Sequence, residues 1–155
     1  MSGKDREILL KAMSGLGGDF ARLAKQFEAM ADNLLFLAFD SKVNRQGGVT
    51  TVNVVEIPIF SNMKPITLAE MLVEQLPAQI KGVKVSQAEA IDLPQYPAAR
   101  FTAQLNLNNA AVKEALYVVK ADKATYLVTF AAALNDFEKL LPVFEQSIQT
   151  FSVNP

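Results

Sequence analysis

Polar and apolar residues alternate most cleanly over residues 99–107. Ala99, Phe101, Ala103, Leu105 and Leu107 fall on one side, and Arg100, Thr102, Gln104 and Asn106 on the other. A period of two predicts a strand with one covered face. The same period predicts a strand over 83–91, ended by Pro94 and Pro97, and two more over 112–120 and 125–132. Asn108-Asn109 and Asp122-Lys123 supply turn chemistry between them. These four strands in series read as an antiparallel meander. Upstream, residues 33–39 are apolar at both parities, which predicts a central strand covered on both faces. The stretch 44–48 reads as a turn. Residues 49–59 are rich in β-branched side chains and give the next strand, with Pro58 pushing its end to an edge or an exit.

Between these runs the spacing turns helical. Phe20, Leu23, Ala24, Phe27, Met30 and Ala31 share one face, and Asp19 is placed to cap them. A shorter helix over 5–13 carries Ile8, Leu9 and Ala12 on one face, with Gly15 as a stop. Thr67 and Glu70 have capping-box spacing ahead of a helix over 68–80 whose inner face is Leu68, Met71, Leu72 and Leu76. Pro77 should kink or shorten that helix. A last helix lies within 136–151, with Leu141, Phe144, Ile148 and Phe151 facing the core. Pro142 should divide it into a first turn and a main helix. The order is helix, two strands, helix, four strands, helix. It predicts an α+β domain with an antiparallel-rich sheet and helices packed on its faces.

Composition narrows what such a domain can do. A chain of 155 residues, half of them hydrophobic, fits one globular domain. Fifteen Lys and Arg against 16 Asp and Glu leave a net charge of −1, without the basic excess of a nucleic-acid binder. The chain has no Cys, which removes disulfides, zinc-thiolate sites and thiol nucleophiles. It also has no His, which removes histidine triads, dyads and metal sites and leaves only carboxylate, Lys or Tyr chemistry. The start of the chain lacks the basic and apolar regions of a secretion signal. The longest apolar run, 34–39, is far short of the ~20 residues a membrane span needs. The chain as given therefore reads as soluble, without an export signal.

Three groups of residues could carry chemistry. Gly15-Leu16-Gly17-Gly18 before a helix could hold an anion, but no Walker Lys-Ser/Thr follows and Asp19 already occupies the cap, so a plain loop is expected. Asp40, Glu89, Asp92 and Asp122 could pair for acid–base work or bind a hard cation. Their places near strand ends and turns suit ordinary turn chemistry instead. Tyr96, Tyr117 and Tyr126 could line a pocket, and Tyr117 and Tyr126 are expected to form a cross-strand packing pair. The helix over 5–13 has mixed charge, which suits a partner contact or core packing better than a membrane surface. No catalytic, cofactor-binding or metal-binding residue is assigned, and no cofactor is expected.

A strand ending in acid (Leu37-Ala38-Phe39-Asp40) is followed by Val52-Asn53-Val54 and by a helix start at Thr67 to Glu70. Later come Tyr117-Val118-Val119, a strand from Tyr126 to Phe130, and a close with Phe137, Pro142, Phe144-Glu145 and Thr150-Phe151. Over residues 19–153 this order resembles the PsbP-like family. That family includes the extrinsic P protein of photosystem II, DcrB-type bacterial lipoproteins and the eukaryotic Ran-binding Mog protein. The resemblance implies one domain over 1–155, an α/β/α sandwich around an antiparallel sheet of about six strands. It also implies a non-enzymatic accessory or assembly role, often in an exported protein. Family members usually open with an aromatic-rich hairpin containing a P-x-x-W stretch, and this chain has no Trp. Either the helix over 5–13 replaces the hairpin, or the chain starts late; a late start would make the domain extracytoplasmic.

The leading expectation is thus an accessory module that binds a protein partner. The alternative is a small-ligand carrier or His-independent enzyme with a pocket between sheet and helices. If the hairpin is missing, an unpaired sheet edge could also pair with another copy, giving a homodimer.

Overall fold

The computed structural model describes residues 33–40, 50–57, 62–107, 110–122 and 124–153. The expected helices over 5–13 and 19–31 and the turn at 44–48 lie outside these residues, as do Asn108, Asn109 and Lys123. In chain order the elements are β1 (Leu34–Phe39), β2 (Thr51–Ile57), α1 (Pro65–Gln79), β3 (Lys84–Val85), β4 (Glu89–Asp92), β5 (Pro97–Leu107), β6 (Ala110–Lys120), β7 (Thr125–Ala133) and α2 (Leu134–Ile148). The strands form one seven-stranded sheet in the order β1-β2-β7-β6-β5-β3, with β4 also paired to β5. Every pairing is antiparallel. This is the α+β architecture the patterning predicts.

The alternation in β5, β6 and β7 decides how the two helices attach. Ala99, Phe101 and Ala103 of β5 and Leu116 and Val118 of β6 pack with Leu68 and Ala69 of α1. The opposite parity, Ala115, Tyr117 and Val119 of β6 and Val128, Phe130 and Ala132 of β7, packs with Phe137, Phe144 and Ile148 of α2. Among the described residues one helix therefore lies on each face, and the two clusters share the central strands. Each fully buried aliphatic or aromatic side chain contributes about 1.5–3 kcal/mol of burial, so these two clusters hold the sandwich shut. Phe137 and Tyr117 are the largest side chains sealed under α2, and Phe101 the largest under α1.

Several local expectations are corrected. The strand read over 83–91 is two short pieces. Val85 pairs with Ala103 and Glu89 with Arg100, four steps along one strand against three along the other. The extra residue breaks the ladder as a bulge does. Pro97 begins β5 rather than ending its predecessor, a place where a missing N–H costs the ladder nothing.

Helix α1 starts at Pro65 after Lys64, with no side-chain cap, so the Thr67–Glu70 capping box is absent. Proline in the first turn carries a fixed helical φ and lacks an N–H that would be orphaned there, so the helix begins before Thr67. Pro77 sits near the end of α1, which runs on to Gln79. Pro142 does not divide the last helix, because α2 is continuous from Leu134 to Ile148. The proline is solvent-exposed, so the carbonyl it leaves without an intrahelical donor can be hydrated.

The largest correction concerns β1. The apolar run predicted a central strand, yet β1 is the outermost of the described strands, and Leu35 and Phe36 are 43% and 50% exposed. Among the described residues no helix is long and apolar enough to cross a membrane.

Candidate functional site

On the face that carries α2, the helix lies over β6 and β7, while β1 and β2 extend beyond it. The register sets which side chains line this strip, which no described helix covers. Phe36 pairs with Val54 and Ala38 with Val52. Val52 in turn pairs with Phe130 and Val54 with Val128. Side chains at i and i+2 share a face, so Phe36, Ala38, Val52 and Val54 form an apolar floor that runs up to the side of α2.

Two shallow hollows open along this floor. One, of about 230 Å³, lies between Ala38, Val52 and Phe130 on the sheet and Val143, Phe144 and Ser147 on α2, with Asp40, Thr50 and Thr51 at its end. The other, of about 320 Å³, lies between Leu35, Phe36 and Val54 and the chain after α2, where Phe151 and Val153 form its wall with Tyr126. Val143 is 54% exposed on the helix side, and no basic side chain lines either hollow.

An aromatic framework holds this wall in place. The Tyr126 ring lies 5.7 Å from Phe151, and Tyr96 meets the same Phe151 edge-on at 6.1 Å. The Tyr96 hydroxyl accepts a hydrogen bond from the Val153 amide at 3.3 Å, which ties the segment after α2 to the sheet. Burial, with Glu56 nearby as the smaller cause, raises the Tyr126 pKa. Phe130 stacks on Phe144 at 5.0 Å and receives the edge of Tyr117 at 5.9 Å.

The expected Tyr117–Tyr126 pair does not form. Tyr117 faces Val128 and Tyr126 faces Val119, so the register sets the tyrosines apart and each finds a different ring.

On the flank of α2 away from the trough, Arg100 links β5 to the neighbouring strand β4 and to α2. Its Nε donates to Glu89 of β4 at 2.7 Å, and its terminal nitrogens donate to Glu89 and to Glu145 of α2. Burial works against the guanidinium, and the two carboxylates outweigh it, so its pKa lies above the usual value. The Tyr117 hydroxyl is buried beside this group without a hydrogen-bond partner. Its pKa is raised by burial, an effect that the Arg100 charge partly offsets. The arrangement is a clamp, in which two carboxylates from β4 and α2 hold one cation.

Of the carboxylates read from the sequence, Asp40 closes β1, Glu89 opens β4, Asp92 ends it and Asp122 sits between β6 and β7. The fold does not bring them together, and no group of three acidic residues converges among the described residues. Glu89 serves Arg100. Gly15, Gly17, Gly18 and Asp19 lie outside the described residues.

Sequence reasoning missed Glu114. It lies mid-strand in β6 between Ala103 and Ala131, on the face that carries α1. Burial pushes its carboxyl up to about 7. The available signal was an acid at a strand position whose parity it shares with Leu116 and Val118.

No protein-family model matches the chain, and no curated protein matches its sequence. Solved structures do match. PA94 of Pseudomonas aeruginosa, a protein of unknown function, superposes with a TM-score of 0.65 at 12% identity, over 77% of this chain and 83% of that one. LpqN of Mycobacterium tuberculosis, involved in cell envelope biogenesis, gives a TM-score of 0.45 at 13% identity over 70% and 73%. The cyanobacterial PsbP of Synechocystis sp. PCC 6803 gives 0.48 at 11% identity over 72% and 70%. The chain shares its fold with PA94, and at these identities the likeness extends to the fold alone.

Proposed function

We propose that this domain is a non-enzymatic accessory module that takes an apolar segment of a protein partner into the trough between α2 and β1–β2. One observation carries this reading: Leu35, Phe36 and Val143, three of the four large hydrophobic residues left exposed among the described residues, line its two hollows. Large apolar side chains gathered in one open groove mark an interaction site, whereas scattered ones do not. The absence of basic lining residues suits an uncharged segment. The PsbP-like resemblance read from the sequence points to the same class of role. The ligand-carrier and enzyme alternative calls for an apolar pocket with converging polar groups, and the hollows here are shallow and open.

The test is affinity purification of the full chain under mild extraction, beside Val143→Asp. Val143 is exposed, so the substitution leaves the core intact. Wild type should retain one stable partner that Val143→Asp loses at unchanged circular dichroism. Wild type recovered only as the free protein would refute the proposal.

A further inference from the structure

Among the described residues the two edges of the sheet are built differently. On one side β3 has two residues with Lys84 exposed, and β4 carries exposed Glu89 and Asp92 at its ends. An extra residue interrupts the ladder between them. Short strands, charges and bulges are what block strand addition at an edge. On the other side β1 has six residues, Leu-Leu-Phe-Leu-Ala-Phe, with no charge and no proline.

The hydrogen-bond pattern shows which groups of β1 face outward. The Asp40 amide donates to the Thr50 carbonyl. Antiparallel pairs alternate between bonded and non-bonded residues. Ala38 and Phe36 therefore spend their amides and carbonyls on β2, and those of Leu37 point away from the sheet.

We propose that β1 pairs antiparallel, about Leu37, with β1 of a second copy of this chain, so that one sheet runs across a two-fold axis. An uncharged apolar strand suits such an edge, and the chain itself presents one. Self-pairing brings no like charges opposite each other, the arrangement that would oppose it. A two-fold contact uses the same patch on both subunits, so every favourable contact occurs twice. Phe36 and Ala38 of each copy then lie on the α2-bearing side of the joint, and part of the exposed Phe36 is covered. The irregularity between Leu34 and Phe36 marks one end of the pairable stretch. This inference rests on the backbone of β1 and not on the partner-binding reading.

Sedimentation of the full chain over a range of concentrations tests it. Wild type should form a reversible dimer. Leu37→Pro removes the outward amide without removing a β1–β2 hydrogen bond, and should weaken the dimer by about thirtyfold or more. Because proline could also disturb β1, Leu37→Lys gives a second reading. It sets like charges opposite each other at the axis and should weaken the dimer by about tenfold in a manner that salt relieves. Val143→Asp, on α2 and outside the edge strand's backbone, should dimerise as wild type does even where it loses the partner. A wild-type chain that stays monomeric at its highest soluble concentration overturns the proposal, as does wild-type affinity in both edge variants.

Discussion

Glu114 should make this fold less stable as the pH rises, and Glu114→Gln should remove the effect. The side chain is part-buried in the middle of β6, flanked by Ala103 and Ala131 and by Val112 and Leu116 two positions along the same strand. No hydrogen bond or ion pair reaches it among the described residues. Burial raises its pKa from 4.5 to about 7. Each unit of difference between folded and unfolded chain is worth about 1.36 kcal/mol, so ionising Glu114 in place costs about 3 kcal/mol. Between pH 4.5 and about 7 the folded chain keeps a proton that the unfolded chain has released. Stability falls with rising pH wherever the folded state binds more protons. The contribution is therefore complete below pH 4.5 and lost as pH rises through about 7.

The glutamine variant keeps the shape and carries no charge. At pH 8 it should exceed wild type by about 2–3 kcal/mol, raising the Tm by roughly 4–12 °C for a chain of this size. At pH 4 the two should nearly coincide. Urea titrations followed by circular dichroism across this range would measure it. Parallel stability curves, or a variant less stable than wild type at pH 8, would refute the argument.

Two further substitutions test other parts of the structure. Tyr117→Phe deletes a buried hydroxyl that has no hydrogen-bond partner and should stabilise the fold by about 1 kcal/mol; a loss of similar size in urea unfolding would show that Arg100 bonds it. Pro142→Ala restores a donor for the Glu138 carbonyl inside continuous α2 and should add about 2 kcal/mol after the entropy gained by the unfolded chain, read as a higher Tm.

The elements were legible wherever local pattern and tertiary use agree. In β5 the parity of Ala99, Phe101 and Ala103 is set by the chain, and the same parity packs on α1. Phe144 and Ile148, read as core from helical spacing, are buried in α2. Glu114 was not singled out because a carboxylate in a strand has no signature of its own; its pKa depends on what covers it. The trough was not legible either, since Val143 belongs to α2 and Phe36 to β1, and only the folded chain sets the two hollows they line beside the same strands.

The sequence by itself determined that this is an α+β domain without cysteine or histidine chemistry, and roughly where the described strands and helices lie. Those properties depend on residue identity and on short-range periodicity, which the chain carries whatever surrounds it. Only the tertiary structure decided that the apolar run at 34–39 is the outermost described strand, that Arg100 clamps β4 and α2, and which side chains remain exposed. Strand order and helix placement bring together residues far apart in the chain, and a strand's own pattern is the same whether a neighbour or solvent lies beside it.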